Sequence, residues 1–369
     1  MTTGPSPSAA IIDLDDVDAL LGADRDGLLR AASMAGAQVR ATAAALAEGE
    51  LDSLRTDGTP RTVIWVAGRG NAETAGSLLA SAWGGSVAAP IVVASEVPPW
   101  IGPLDVLVVA GDDPGDPALV NAAATGVRRG ARIVVAAPYE GPLRDVAAGR
   151  AAVLSPRVWV PDDFGFVRYL AAGLATLDVV DPTMHVDLHA MADELDAEAL
   201  RNSANRELFT NPAKTLAERM SEREVVLAGD SAATLALARH CAATMLRVAH
   251  RVVAAAGFAD ALVVLRGGMG GTSAADREQS MFHDEQIDGP LPRRMRTFVL
   301  TTDAEQPIVA ARAADLDDVD VISAQDVPEL PEAAAVPDAS TAAGSMEQQL
   351  AMLAVRLEMT AVYLKLVRG

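Results

Sequence analysis

Two glycine-containing loops follow predicted strands and carry polar residues suited to holding a ligand. The first, Gly68-Arg69-Gly70-Asn71, comes after the β-branched run at 61–67 and before a segment of helix-forming residues. In that context the free backbone amides of a helix N-terminus can bind an anion, and Arg69 could add a positive charge. A tight turn whose glycines only relieve backbone strain explains the same residues equally simply. The first loop therefore predicts either an anion site or a structural turn.

The second loop spans 110–117 and carries three carboxylates, Asp112, Asp113 and Asp116. It lies at the carboxyl end of a predicted strand, where ligands of open α/β sheets usually bind. Acidic side chains at this place also stabilise the positive end of the following helix, which is an ordinary structural role. As ligand groups they would repel a phosphate, whereas a cation or sugar hydroxyls would remain acceptable.

One histidine has neighbours suited to proton transfer. His283 and Glu285 stand in a compact polar segment that precedes the turn residues Gly289 and Pro290. A histidine beside a carboxylate can move protons near neutral pH, although a histidine in an exposed loop often has no special role. His185 and His189 could share a helix face, but no cysteine or third histidine is near them in the sequence. We expect neither a metal site nor a cofactor.

Two basic residues complete the candidate set. Arg168 interrupts an otherwise apolar helical segment, so it either extends to the surface or meets an anion in a cleft. Lys214 follows Asn211 and Pro212, which predict a helix N-cap and a first helical position. The simplest interpretation of Lys214 is a solvated residue in the first turn of that helix.

The elements that must position these residues alternate between strands and helices, which is typical of parallel sheets covered on both faces. In the first half, strands are predicted at 61–67, 90–94, 105–110 and 131–137, with helices at 117–130 and 143–149 ahead of an apolar run at 158–160. In the second half, strands are predicted at 224–228, 261–265, 297–301 and 319–322, with helices at 214–220, 231–256 and 346–366. The sequence therefore indicates an α/β fold of two tandem halves.

Boundaries follow from the same pattern. We expect an N-terminal helical segment at 1–58, a first α/β domain at 59–181, a helical connector at 182–210 and a second α/β domain at 211–369. Pro, Ala, Ser and acidic residues dominate 326–345, which predicts an exposed linker within the second domain.

Composition excludes several classes of partner. The formal net charge is −20, and the only basic clusters are the pairs at 128–129 and 293–294, so nucleic acids and anionic membranes are unfavourable partners. Cys241 is the single cysteine, which rules out an intrachain disulfide and fits a reducing compartment. The start of the chain lacks the features of a signal peptide, and no run of 18 apolar residues occurs. We expect a cytoplasmic protein.

Taken in order, several segments resemble the sugar isomerase (SIS) domain proteins, and specifically the bifunctional phosphoglucose/phosphomannose isomerase family. The segments that carry the resemblance are GRGNAETAG at 68–76, AGDDPGDPALVNAA at 110–123, GVRRGARIVVAA at 126–137, VPDDFGFVRYLAAGL at 160–174, NPAKTLAERM at 211–220 and FHDEQIDG at 282–289. The resemblance implies two SIS-type doubly wound halves, each a parallel sheet with helices on both faces. It also implies a homodimer that binds a sugar phosphate or a related carbohydrate derivative.

The resemblance assigns roles to the candidate residues. It places the substrate loop at Gly68 to Asn71, a substrate-facing arginine at Arg168, and the histidine of sugar ring opening at His283, with Glu285 beside it. Lys214 falls in the segment that opens the second SIS half. By the same resemblance, Asp112 and Asp113 stand where hydroxyls would hold the phosphate.

The departures from the family pattern decide between two functions. Ala72 replaces a serine of the first loop, and the segment 232–256 contains no glutamate where the family has its catalytic base. The lysine near the family's C-terminus has at best a displaced substitute in Lys365. These changes favour a carbohydrate-binding protein with a degenerate catalytic site. The retained Arg168 and His283 keep open an aldose-ketose isomerase with a rebuilt site, acting on glucose 6-phosphate or mannose 6-phosphate.

Overall fold

Each half of the chain contains a parallel sheet, as the alternating pattern predicts. The computed structural model describes residues 12–56, 58–221, 223–266, 295–326 and 344–368. Contacts divide the chain into two compact units. The first-sheet unit comprises Met34–Ala197 and Ser231–His240, and the second-sheet unit comprises Met1–Ser33, Glu198–Asp230 and Cys241–Gly369.

The sheet of the first-sheet unit has strand order β2-β1-β3-β4-β5, with every neighbouring pair parallel. Its strands are β1 Thr62–Ala67, β2 Ile91–Ala94, β3 Asp105–Ala110, β4 Arg132–Ala136 and β5 Ala151–Val153. All six residues of β3 are buried, as expected for a central strand covered by helices on both faces. The order reverses around β1 and β3, so the loops after these strands meet at the topological switch point.

Helices cover both faces of this sheet. They are α3 Ala35–Ala47, α4 Asn71–Trp83, α5 Pro117–Arg129, α6 Gly141–Ala147 and α7 Phe166–Val180, with the start of α8 Leu188–Arg201. Side chains of α5 and α6 pack on one face against alternate residues of β1 and β3, including Ile64, Leu107 and Val109. On the other face, α4 and α7 pack together around Trp65. In the described residues both faces of the sheet are thus covered, which leaves the strand ends as the expected place for a ligand.

Trp65 supplies the largest buried side chain of this core, in a chain with few aromatic residues. Its indole Nε1 donates to the carbonyl of Ala72 at 2.9 Å. The ring lies so close to α4 and α7 that a Cβ at Gly76 would be 2.3 Å from it, and one at Gly173 would be 3.1 Å from it. These two helical glycines are thus required by packing rather than by a turn.

The sheet of the second-sheet unit has strand order β7-β6-β8-β9 and is also parallel throughout. Its strands are β6 Glu224–Gly229, β7 Ala254–Gly257, β8 Met295–Leu300 and β9 Val319–Ile322. The helices of this unit are α1 Val17–Ala23, α2 Leu28–Ser33, α9 Pro212–Met220, α11 Phe258–Val264, α12 Gln306–Ala313 and α13 Met346–Leu366, with parts of α8 and of α10 Ala232–Arg247. The predicted α/β class with two parallel sheets is confirmed.

Three local predictions are corrected. The predicted strand at 261–265 lies instead in α11, because a short apolar run fits a buried helix as well as a strand. The long helix predicted at 231–256 ends at Arg247, and its alanine-rich end forms β7. The strand after α6 is Ala151–Val153, ahead of the apolar run at 158–160, which has no regular structure.

The helix boundaries agree well with the predicted caps. Asn211 accepts a hydrogen bond from the amide of Lys214 at 3.0 Å and Pro212 follows it, so the predicted N-cap and first helical position of α9 are confirmed. Gly130 ends α5 with a φ of 73°, a conformation that glycine adopts without strain. None of the described helices is both long enough and apolar enough to cross a membrane.

A buried ion pair joins α8 and α13 within the second-sheet unit. Arg356 and Glu198 are 1% and 0% exposed, and Arg356 Nε donates to Glu198 Oε1 at 2.7 Å. The guanidinium also donates to the carbonyls of Ser323 and Ala324, at 2.8 and 2.7 Å. Burial raises the pKa of Glu198, but the charge and hydrogen bonds of Arg356, with help from Arg201, hold it below its usual value. The pair is thus kept ionised inside the core.

Candidate functional site

The two glycine-containing loops meet at the carboxyl edge of the first sheet. Gly68 donates its amide hydrogen to the carbonyl of Ala110 at 2.7 Å, which ties the loop after β1 to the end of β3. A Cβ at Gly68 would lie 3.5 Å from the Cα of Gly111, so the two backbones run in close contact. Gly70 precedes α4 with a φ of 82°, which glycine adopts freely. The first loop therefore has a structural role: it joins the ends of β1 and β3 in close contact and leads the chain into α4.

The other residues of the first loop point in different directions. Arg69 is exposed. Asn71 is only 3% exposed, and its Nδ2 donates to the carbonyl of Asp162 at 2.7 Å, so its amide ties α4 to the segment before α7. Of these two side chains, Arg69 is the one that is open to a ligand.

A three-residue cluster joins the second loop to α7. Arg168 Nη2 lies 2.5 Å from Asp112 Oδ1, and the hydroxyl of Tyr169 donates to the same oxygen at 2.5 Å. Arg168 Nη2 is also 2.7 Å from the Tyr169 hydroxyl, and the guanidinium lies 4.6 Å from the centre of the Tyr169 ring. Arg168 was predicted either to extend to the surface or to meet an anion. It meets an anion, and that anion is the carboxylate of Asp112.

The environment of this cluster is acidic. Burial raises the pKa of Tyr169 well above its usual value, so its hydroxyl stays protonated and donates to Asp112. Partial desolvation raises the pKa of Asp162, and the negative charge of Asp112 raises it further, while Arg168 opposes both. Arg168 is therefore the positive charge that contacts Asp112 and that opposes the rise in the pKa of Asp162.

The other two acids of the second loop shape the backbone. Asp116 is the N-cap of α5 and accepts from the amide of Ala118 at 2.8 Å, as predicted for an acid at a helix start. Asp113 is exposed and accepts from the amide of Gly115 at 2.7 Å. Asp112 alone among the three reaches across to α7.

Lys214 lies in the second-sheet unit, and the prediction that it is solvated is wrong. The residue is 0% exposed, and its Nζ donates to the carbonyls of Ala204 and Arg206 at 2.8 and 2.7 Å. The ammonium also lies 5.7 Å from the centre of the Tyr363 ring. Burial lowers its pKa. Lys214 closes the turn before α9 with its charged end.

The structure does not describe the proposed proton-transfer pair. His283 and Glu285 lie outside the described residues. Within the described ranges, no group of three or more His, Cys, Asp or Glu side chains is arranged to hold a metal ion. The segment of α10 likewise contains no glutamate.

Sequence reasoning missed three buried polar residues of the first-sheet unit. Tyr169 is adjacent to Arg168, and the rule that a buried tyrosine hydroxyl needs a partner could have drawn attention to it. His240 is fully buried on α10, stacks on Phe166 with ring centres 3.8 Å apart, and places Nδ1 3.1 Å from the Thr74 hydroxyl. It gave no signal in the sequence, because an isolated histidine in an alanine-rich helix has no distinguishing spacing.

Gln38 is the third missed residue, and it shares a small cavity with Arg168. The cavity is lined by α3, the end of β4, the segment after β5 and α7, and it holds roughly one group of the size of a water molecule. Gln38 is 2% exposed, and its Nε2 donates to the carbonyl of Phe164 at 3.0 Å. Its Oε1 and the Nε of Arg168 are both buried and have no hydrogen-bond partner among the described residues. The lining of this cavity thus contains one buried acceptor and one buried donor that have no partner among the described residues.

Solved structures that align over nearly the whole chain identify the fold. The C-terminal domain of glucosamine-fructose-6-phosphate aminotransferase from Francisella tularensis aligns with a TM-score of 0.58 at 13% identity, covering 94% of this chain and 98% of its own. Tagatose-6-phosphate ketose/aldose isomerase from Escherichia coli aligns with a TM-score of 0.57 at 14% identity, covering 98% and 94%. A glucose-6-phosphate isomerase like protein from Thermus thermophilus aligns with a TM-score of 0.52 at 17% identity, covering 97% and 94%.

The chain therefore has the SIS-type sugar isomerase fold. No protein-family model and no curated protein matches its sequence. At these identities the similarity concerns the fold, and function must be argued from the site itself.

Proposed function

We propose that this chain is a non-catalytic SIS-type protein that binds a carbohydrate derivative, such as a sugar phosphate, at the carboxyl edge of the first sheet. The observation that carries the proposal is the Asp112, Arg168 and Tyr169 cluster, which brings a cation, a carboxylate and a hydroxyl together beside the two glycine loops. This edge is where open α/β sheets bind their ligands. A cytoplasmic homodimer is part of the proposal.

The residues present support binding more than catalysis. Isomerisation between an aldose and a ketose needs a base close to the carbons that exchange a proton. No glutamate lies in the helix α10, and the carboxylate nearest Arg168 is already engaged by two donors. Gly68, Arg69, Gly70, Asn71 and Asp113 are proposed members of the wider substrate site, whereas Lys214 is engaged at the turn before α9. In the alternative, an active isomerase, His283 and Glu285 are the proposed ring-opening residues.

Binding is tested by thermal unfolding with glucose, fructose, mannose and their 6-phosphates. A ligand that binds the folded state at 100 times its Kd stabilises it by about 2.7 kcal/mol. The expected result is a rise in Tm with at least one of these sugars that is lost in Arg168→Met. Arg144→Met is the matched control, because that arginine is exposed on α6 and its guanidinium contacts its neighbour Asp145 at the surface. No shift with any of the sugars would refute the proposed binding.

Catalysis is tested by an assay coupled to glucose 6-phosphate formation from fructose 6-phosphate or mannose 6-phosphate. We expect no turnover by the unmodified protein. Turnover that disappears in His283→Ala and persists in the control His185→Ala would replace the proposal by an active isomerase with a rebuilt site. Light scattering of the purified chain measures whether it is a dimer.

A further inference from the structure

At the carboxyl edge of the first sheet, the cation Arg168 is already paired with a carboxylate of this chain, that of Asp112. Arg168 is the cation of the cluster there, and its Nη2 is bonded to Asp112 Oδ1 rather than left open to solvent. The side chains of Arg168 and Asp112 are 15% and 24% exposed, so the pair lies at the base of the edge rather than on the outer surface. Tyr169 adds a second hydrogen bond to the same oxygen, which fixes the carboxylate against the guanidinium.

The surrounding charges oppose a further anion. Asp113 and Asp116 follow Asp112 in the same loop, and Asp162 lies near enough that burial and the charge of Asp112 together raise its pKa. A dianionic phosphate placed here would have to separate Arg168 from Asp112 and would leave that carboxylate without its cation. Breaking a partly buried, hydrogen-bonded pair is strongly unfavourable.

The groups that remain available are those that a hydroxyl satisfies. Gln38 and Arg168 line the small cavity beside α7, and neither Gln38 Oε1, an acceptor, nor Arg168 Nε, a donor, has a partner among the described residues. A hydroxyl can satisfy either group, because it both donates and accepts, whereas a phosphate dianion has no hydrogen to donate to Gln38. The cavity is also of hydroxyl size rather than phosphate size.

From this geometry we propose that Asp112 is a built-in counter-ion of Arg168, and that it makes this edge select an uncharged, hydroxyl-bearing part of a carbohydrate over a phosphate ester. The inference rests on the proposed function for the location of the ligand, and it narrows the class of ligand. Asp112 thus determines specificity, and Arg168 Nε and Gln38 Oε1 are the groups that would form hydrogen bonds with hydroxyls of the ligand.

The test compares Asp112→Asn with the unmodified protein by calorimetric titration of inorganic phosphate, glucose and glucose 6-phosphate. Asparagine keeps the shape of the side chain and removes one negative charge. We expect phosphate and glucose 6-phosphate to bind about tenfold or more tightly to Asp112→Asn than to the unmodified protein, with glucose changed less than about threefold. Asp145→Asn is the matched control, since it removes the same charge from an exposed carboxylate on α6 of the same unit, and we expect less than about a twofold change.

The outcomes separate this inference from the proposed function. Equal phosphate and glucose 6-phosphate affinities in the unmodified protein and Asp112→Asn overturn the inference, and so does the absence of phosphate binding in both. A gain of phosphate affinity without any sugar binding upholds the counter-ion role and overturns the proposed function. If Asp112→Asn does not fold by circular dichroism, Asp112→Thr serves with the same expected gain, because threonine also removes the charge.

Discussion

The buried pair of Arg356 and Glu198 offers the sharpest test of how the second-sheet unit is held together. Arg356→Met keeps an unbranched apolar chain of similar length and removes a guanidinium that makes hydrogen bonds to Glu198 and to two main-chain carbonyls. Among the described residues, Glu198 then keeps Arg201 and Asn202 as donors, at 3.1 and 2.6 Å. Arg201 is partly exposed and replaces the lost guanidinium incompletely, and removing one partner of a buried pair typically destabilises by about 3 to 5 kcal/mol.

We therefore expect Arg356→Met to lower the free energy of unfolding by about 3 to 5 kcal/mol. The double variant Arg356→Met with Glu198→Leu removes both charges, and we expect it to be at least about 1 kcal/mol more stable than Arg356→Met alone. Arg40→Met is the surface control, because Arg40 pairs with Asp193 and Asp196 through side chains that are 41% exposed or more, and it should lose less than about 1 kcal/mol.

The assay is urea unfolding followed by circular dichroism, with hydrogen exchange of peptides from Met346–Leu366. Tryptophan fluorescence is a poor local probe of this pair, since the four tryptophans at 65, 83, 100 and 159 all belong to the first-sheet unit. A loss below about 1 kcal/mol in Arg356→Met, or a double variant less stable than the single one, would refute the reasoning.

The remaining predictions concern acid stability, the lysine of α9 and the glycines of the helices. Because the pKa of Glu198 is lowered in the folded state, its contribution to stability is fully present above about pH 4.5 and is lost as the pH falls further. The difference in free energy of unfolding between the unmodified protein and Arg356→Met should therefore narrow in acid unfolding below that pH. Lys214→Met leaves two carbonyls without their donor and should lower the free energy of unfolding by about 2 to 4 kcal/mol in urea titrations. Lys365→Met is the control, at a partly exposed lysine 3.7 Å from Asp26, and it should change the free energy of unfolding by less than about 1 kcal/mol. Gly76→Ala forces a methyl group onto Trp65 and should destabilise the protein by about 1 to 3 kcal/mol. Gly22→Ala, in a helix with open space at its Cβ, should stabilise it by about 0.5 to 1 kcal/mol. A melting temperature unchanged by Gly76→Ala would contradict the packing described for α4.

Four of the five strands of the first sheet were predictable, because their residues are mostly apolar and rich in valine and isoleucine, whereas β5, with the sequence AAV, was not predicted. The helix caps at Asn211 and Gly130 were predictable for the same local reason, since each depends on residues adjacent in sequence. By contrast, β7 has the sequence AAAG, and alanine favours a helix on its own. Only pairing with β6 makes this segment a strand, and pairing is not visible in a local pattern.

The site was harder to predict for a similar reason. The first loop and the acidic loop were recognised as candidates by their position after strands, but the partner of Asp112 lies 56 residues further along the chain. Nothing in the spacing of Arg168 distinguishes a ligand-facing arginine from one that is paired internally. The burial of Lys214 was missed because its carbonyl partners, Ala204 and Arg206, belong to a turn without a sequence signature.

The helix α10 limits how this chain can be divided or recombined. Its first part, Ser231–His240, belongs to the first-sheet unit although it follows β6 in sequence. A fragment of residues 34–197 would lack His240 and would leave the face of Phe166 and the hydroxyl of Thr74 without it. An exchange of halves between related genes at a single crossover point would therefore deliver an incomplete core, so we expect the two halves to be inherited together rather than as interchangeable modules.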